Sequence, residues 1–392
     1  MSKILALLSG KGGSGKTTLA LSMSSMLSKC GIRVLLVDCD LSTNGATYFY
    51  EDRLPEHNRN TISFYNIIFG IGDQEGAINI DKNMDFIPSI TQITKQNTET
   101  YSYRENDEKI LKNMKANYDE KYDIIIFDCQ AGYTDSLKLI LPIVDINLVV
   151  MEADAISSSA IRSLYLKIGD FLNDRKVYQI FNKATDEEYQ IYSKISGGTV
   201  FTNIETVKFD WKIRKAFSVA EIPDMEITSA NYGIQIYNIC KILFKEESIQ
   251  SRLNKYQVVI EINKNLEEEK LLENKISKLK EETNKSYKKK SRLVLTLGIT
   301  TSVIALCSSF FTMIDNKIFL NSETENFLLL ICLLVCILFC CAFVLYSTLE
   351  NVKERKSQYR QTDLYRKQLS MILEEQKKLQ EKYKTFSDER DN

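Results

Sequence analysis

Up to about residue 250 the chain alternates short apolar runs with stretches of helical periodicity. The apolar runs fall at residues 4–8, 34–37, 84–87, 124–127, 146–151, 177–181 and 200–207. Runs that are continuous rather than alternating predict strands buried on both faces. Between them, residues 16–29, 108–118, 160–173 and 231–245 carry the spacing of helices. This alternation predicts an α/β fold with a doubly wound, mostly parallel sheet, in which ligands sit at the carboxyl ends of the strands. Residues 91–105, reading TQITKQNTETYSYRE, are expected to form a surface loop.

Beyond residue 250 the pattern changes. Residues 251–292 are highly charged, and Leu272, Ile276 and Leu279 follow at four-then-three spacing, which predicts a long helix packed on another helix. Residues 293–314 and 327–346 then run without a charge, each long enough as a helix to reach ~30 Å, one hydrocarbon core. Two transmembrane helices are expected, joined by a short extracytoplasmic loop at 315–326. Lys288, Lys289, Lys290 and Arg292 precede the first run and Lys353, Arg355 and Lys356 follow the second, so both ends are expected in the cytoplasm. In the final segment, 347–392, Tyr365, Leu369, Ile372, Gln376, Leu379, Tyr383 and Phe386 alternate four and three apart, the pattern of a coiled-coil strand with Gln376 as a register marker. The two charged arms are similar in length and are expected to pair as an all-α antiparallel coiled-coil stalk that continues a transmembrane helical hairpin.

Composition narrows the function. With 51 basic and 52 acidic residues the chain is nearly neutral, which gives no bulk electrostatic case for nucleic acid. Nine cysteines without ligand spacing and a single histidine, His57, argue against zinc and for free thiols in a reducing compartment. The first apolar run is too short for a leader and flows straight into a glycine-rich turn, so the N-terminal domain is expected in the cytoplasm.

That turn, residues 11–18 (KGGSGKTT), is the centre of the candidate chemistry. It lies between a predicted strand and a predicted helix, where glycines let successive N–H groups face one point beside the positive end of the helix dipole. Gly10, Gly15, Lys16 and Thr17 satisfy GxxxxGK[ST], with Lys16 placed for the β/γ-phosphates and the Thr17 hydroxyl for Mg²⁺. Gly12, Gly13, Ser14 and Thr18 complete the binding loop. Asp38 and Asp40 follow the second apolar run, where one carboxylate can orient water and the other support a metal, or both can serve a turn. Asp128 closes the run YDIIIFD as a metal-supporting carboxylate, and Gly132 lies four residues on. Asn182 ends another run with an amide suited to a purine edge.

Taken together, KGGSGKTT, VLLVDCD, YDIIIFDCQAG, IFNK and KFDWKIRKAF resemble the ParA/MinD group of dimeric ATPases over about residues 1–245. The resemblance implies a P-loop NTPase that binds ATP and Mg²⁺ and forms a homodimer across the nucleotide. It implies that Lys11 reaches the partner's phosphates, Lys16 and Thr17 bind phosphate and metal, Asp40 positions the attacking water, Asp128 supports the metal and Asn182 recognises adenine. Gln130 stands where the family has proline, which leaves the segment after Asp128 less constrained. With two spans in the lipid bilayer, the expected protein is a multi-pass ATPase of a bacterial-type inner or plasma membrane, acting through a further protein partner. Two alternatives are a bacterial tyrosine kinase of the polysaccharide-export type, whose usual order of spans and kinase is reversed here, and a scaffold that binds ATP without hydrolysing it.

Overall fold

The computed structural model describes residues 1–54, 62–71, 76–90, 101–104, 107–172, 175, 177–196, 201–222, 230–315 and 323–388. Eight strands form one sheet: β1 (Lys3–Leu8), β2 (Val34–Cys39), β3 (Ile78–Asp81), β4 (Met84–Ile87), β5 (Ile124–Cys129), β6 (Ile146–Met151), β7 (Val177–Asn182) and β8 (Phe201–Val207). Their order is β3-β4-β2-β5-β1-β6-β7-β8, parallel except for β3 against β4. The helices in chain order are α1 (Lys16–Lys29), α2 (Gly45–Phe49), α3 (Phe64–Phe69), α4 (Glu108–Tyr118), α5 (Asp135–Ile140) and α6 (Ala155–Leu172). They continue with α7 (Asp186–Ser196), α8 (Trp211–Ser218), α9 (Ala230–Leu243), α10 (Glu247–Asp315) and α11 (Glu323–Asp388).

Apolar runs become central strands because successive side chains enter opposite cores. In β1, Leu5 and Leu7 face a core with α1 and α9, while Ile4, Ala6 and Leu8 face one with α3, α4, α5 and α6. The α/β fold is therefore doubly wound around β1, whose neighbours are β5 and β6. Registering β2 on β5 sets Asp38 beside Asp128 at the carboxyl ends of adjacent strands. The edge strand β3 was not expected from the sequence: its short, half-exposed IleAsnIleAsp pattern carries no continuous apolar run. Helix α6 begins at Ala155, ahead of the expected 160, through a serine-rich turn of low apolar content.

The chain divides into two units, Met1–Lys264 with Leu379–Asn392, and Asn265–Lys378. Helix α10 opens inside the first unit: Ile249, Leu253, Tyr256 and Ile260 are buried in the α1/α9 core. Arg252 donates to Gly31 O at 2.9 Å and pairs with Asp123 at 3.3 Å. Burying Leu253 fully contributes about 1.5–3 kcal/mol, so the start of the charged arm belongs to the α/β domain.

In the second unit α10 and α11 meet in antiparallel order. Glu269 accepts from Gln376, Lys275 lies over the Tyr365 ring, Thr283 donates to Gln358, Arg355 lies over Tyr287 and Lys290 pairs with Glu354. The advance along one helix matches the retreat along the other. On α10 the shielded positions Asn265, Glu269, Leu272, Ile276, Leu279 and Thr283 alternate four and three apart, and on α11 so do Thr362, Tyr365, Leu369, Ile372 and Gln376. Among the described residues no helix is long and apolar enough to cross a membrane, so the spans expected at 293–314 and 327–346 are not found there. The side chains of 305–333 lie outside the described residues, as do residues 316–322 of the expected connection, His57 and most of the expected 91–105 loop.

Candidate functional site

The turn between β1 and α1 is built to receive an anion. Gly13 and Gly15 adopt φ of 80° and 88°, left-handed values that a side chain resists. A Cβ on Gly10 would lie 2.5 Å from the Ala160 carbonyl carbon, so only glycine lets α6 approach the loop. Nothing lies within 4 Å of a Cβ placed on Gly12 or Gly13, leaving the mouth of the loop open. The first turn of α1 carries no acidic residue and no side-chain cap, so its N–H groups and dipole act at the mouth unneutralised. Opposite, the Gly132 amide donates to Ser9 O at 2.8 Å, with φ of 78°, holding the chain after Asp128 against the start of the loop.

At the base of the loop Lys16 is 6% exposed and its ammonium lies 3.3 Å from Oδ1 of the fully buried Asp128. Burial opposes the lysine's charge, but Asp128 and Asp40 outweigh it and raise its pKa. The other Asp128 oxygen, Oδ2, is buried with no hydrogen-bond partner. Asp38 accepts from the Asp40 amide at 3.0 Å and from the amide and hydroxyl of Thr47 at 2.8 and 2.7 Å. Burial and the adjacent Asp128 nevertheless push the Asp38 carboxyl up to about 7. Asp40 takes the part of a turn residue: Oδ1 accepts from the Ser42 amide and hydroxyl and the Thr43 amide, and Oδ2 from the Thr43 hydroxyl at 2.7 Å. Burial works against its charge, but these bonds and Lys16 lower its pKa overall.

Two acids after β6, unremarked in the sequence, complete the mouth. Lys11 pairs with Glu152 at 3.0 Å and Asp154 at 3.2 Å. The hydrogen bonds to these acids raise its pKa. Lys183, at φ of 58°, pairs with Glu152 at 3.0 Å and donates to Gly13 O at 2.6 Å. Asn182, expected to read adenine, donates its amide N–H to Ser14 O at 2.7 Å, and a Cβ on Gly15 would lie 2.1 Å from that nitrogen. Its amide donor thus braces the loop. The signal for Glu152, Asp154 and Lys183 was positional: all lie at the carboxyl ends of β6 and β7, on the ligand side of a doubly wound sheet.

The donor set suits a nucleotide with Mg²⁺. Thr17 presents a hydroxyl, Asp128 a buried carboxylate oxygen without a partner, and Asp38 a carboxylate one strand away, all hard oxygen donors. Among the described residues no group of three or more His, Cys, Asp or Glu could hold a metal by itself. A site of this kind fits an ion that takes most of its coordination from phosphate and water.

Residues 2–180 match the family model described as an AAA domain. The sporulation initiation inhibitor protein Soj of Bacillus subtilis (strain 168) is 30% identical over 134 residues, 33% of this chain and 50% of Soj. The septum site-determining protein MinD of Thermotoga maritima is 27% identical over 244 residues, 60% of this chain and 81% of that protein. The chain spans about half the length of the first curated relatives it matches. The crystal structure of a plasmid partition protein from Borrelia burgdorferi B31 bound to AMPPNP aligns with a TM-score of 0.53 at 22% identity, covering 62% of this chain and 98% of that one, a likeness of fold. The N-terminal part of the chain is thus similar in sequence to Soj and MinD proteins and in fold to a plasmid partition protein.

Proposed function

We propose that the chain is an ATP-dependent dimeric switch anchored in a membrane. The observation that carries the nucleotide reading is the open, uncapped mouth of α1 above Lys16. In this reading the loop amides of 12–18 and Lys16 hold the phosphates, the Thr17 hydroxyl ligates Mg²⁺, and Asp128 and Asp38 orient the metal's waters. Mg²⁺, when bound, neutralises phosphate charge and aligns the groups for transfer to water. Asp40 leaves its turn partners to position that water, and Lys11 exchanges Glu152 and Asp154 for the phosphates of a second copy. Two copies clasp with ATP because only in the closed dimer is the γ-phosphate contacted by both subunits, and they separate after hydrolysis.

The anchoring reading is supported by the uncharged runs at 293–314 and 327–346 and by the exposed Leu293, Ile304, Leu334, Leu338 and Leu345 within them. The paired parts of α10 and α11 would then be a coiled-coil stalk over a membrane hairpin. It would stand on the cytoplasmic side of a bacterial-type inner or plasma membrane and carry the state of the switch to the bilayer or a protein partner. The test is phosphate release by the full chain in lipid nanodiscs, wild type against Asp40→Ala. The switch predicts Mg²⁺-dependent release lost in the variant; no release from either with membranes and cell extract present favours an ATP-bound scaffold, and equal release from both overturns the role given to Asp40. Extraction of native membranes with alkaline carbonate tests the anchor, which predicts retention in the pellet.

A further inference from the structure

A network of buried hydroxyls stands behind the Asp38 carboxylate. Thr47, on the short helix α2, is buried, and its amide and hydroxyl both donate to Asp38 Oδ2, at 2.8 and 2.7 Å. The other Asp38 oxygen, Oδ1, accepts from the Asp40 amide at 3.0 Å. The Thr47 hydroxyl oxygen accepts in turn from the Ser89 amide at 2.8 Å, which leaves its one hydrogen for Asp38. Ser89 is fully buried; its Oγ lies 2.9 Å from the Thr47 hydroxyl and donates to Asn44 Oδ1 at 2.7 Å. The two carboxylates Asp38 and Asp128 are buried in register on adjacent strands, where like charges push side chains apart. Lys16 holds Asp128 Oδ1, and Asp40 and Thr47 hold both oxygens of Asp38, so Asp128 Oδ2 is the oxygen of this row left without a partner. Helix α2 also borders Thr17: a Cβ on Gly45 would lie 3.4 Å from the Thr17 hydroxyl oxygen. Through Gly45 and Thr47 the same five-residue helix packs on one hard oxygen donor and holds another.

We propose that Thr47 is a positioning residue for divalent-cation binding: its hydroxyl fixes the Asp38 carboxylate toward the metal's waters, without itself touching metal or nucleotide. The inference rests on the Mg²⁺-nucleotide reading given above and adds a residue to it. Hydrogen-bond partners that orient the groups around a metal contribute roughly 10–100-fold to its affinity. Thr47 acts through Asp38, which in turn acts through water, so the lower end, about tenfold, is expected.

The experiment uses the full chain in a neutral detergent and ADP as the nucleotide, so that neither hydrolysis nor dimer closure enters. Isothermal titration gives the ADP affinity with Mg²⁺ and with EDTA, and thermal unfolding gives the stability of each variant. Wild type is compared with Thr47→Val, Thr47→Ser and Ser89→Ala. Mg²⁺ is expected to tighten ADP binding by wild type, and Thr47→Val to lose about tenfold of that gain while its affinity in EDTA stays within about twofold of wild type. Thr47→Ser restores the hydroxyl and keeps the gain. Ser89→Ala removes a buried hydroxyl of the same network but leaves the bond from Thr47 to Asp38, so it unfolds at a lower temperature with the Mg²⁺ gain intact. Where valine prevents folding, Thr47→Ala makes the same deletion with less bulk. An unchanged Mg²⁺ gain in Thr47→Val, a loss equal with and without Mg²⁺, or the same loss of gain in Ser89→Ala overturns the inference alone. Wild type that binds ADP no better with Mg²⁺ than with EDTA overturns the metal reading of the site, and the inference with it.

Discussion

Replacing Asp128 by Asn removes a charge without changing shape, and its consequence can be worked from the Lys16 contact. The pair is buried on both sides, with Nζ to Oδ1 at 3.3 Å. At an effective dielectric near 20 that separation corresponds to about 5 kcal/mol. Measured losses when one partner of a buried pair is removed run to about 3–5 kcal/mol, because the remaining charge is stranded. The nucleotide-free domain should therefore lose about 3–5 kcal/mol, on the order of 10 °C in its unfolding temperature. Mg·ATP should narrow this gap, because phosphate supplies the negative charge that Lys16 has lost. The chain has one tryptophan, Trp211, beside Phe209 and Arg214 in the α/β unit, so its fluorescence follows that unit in the full protein. A loss below about 1 kcal/mol, or an equal gap with and without Mg·ATP, would refute the stranded-charge argument.

Gly15→Ala should destabilise the domain by about 2 kcal/mol or more and weaken ATP binding roughly tenfold or more, because φ is 88° and the new methyl meets Asn182; isothermal titration measures the affinity, and wild-type binding would contradict it. The Asp38 carboxyl is raised from 3.8 to about 7, so its contribution to stability is fully present below pH 3.8 and lost as pH rises through 7. Nucleotide-free stability of wild type relative to Asp38→Asn should thus fall between pH 5 and pH 8 as set by the buffer, and thermal unfolding across that range checks the sign. Ile276→Cys with Leu369→Cys should crosslink within a single chain, since both lie on the facing stripes of α10 and α11; crosslinks only between chains would contradict intrachain pairing.

The middle of the sheet was legible because its strands carry near-continuous apolar runs, as in IleLeuAlaLeuLeu of β1, and burial on both faces leaves that mark in a sequence. Edge strand β3 was not, being polar at alternate positions and held by a single neighbour. The seam of α11 could be read from Tyr365, Leu369, Ile372 and Gln376, the positions that are shielded in the fold. The opening turns of α10 looked like more of the charged arm, and only tertiary packing brings Leu253 and Tyr256 into the domain core. At the site, the phosphate loop and the Asp38/Asp128 row follow from strand ends. The pairing of Lys11 with Glu152 and Asp154 joins residues more than 140 positions apart and has no local signature. Asp40 shows the opposite difficulty: a carboxylate followed by serine and threonine suits a turn as well as a reaction, and in this structure it holds the turn.

The most direct test is the mass of the full chain in detergent, measured by light scattering, with Mg·ATP and then with Mg·ADP. Asp40→Ala is used to slow turnover, and Lys11→Ala in that background serves as the control. A dimer with ATP, a monomer with ADP, and a monomer in both nucleotides once Lys11 is removed are the predicted results. One mass in both nucleotides, or dimerisation indifferent to Lys11, would contradict a switch closed by shared phosphate contacts.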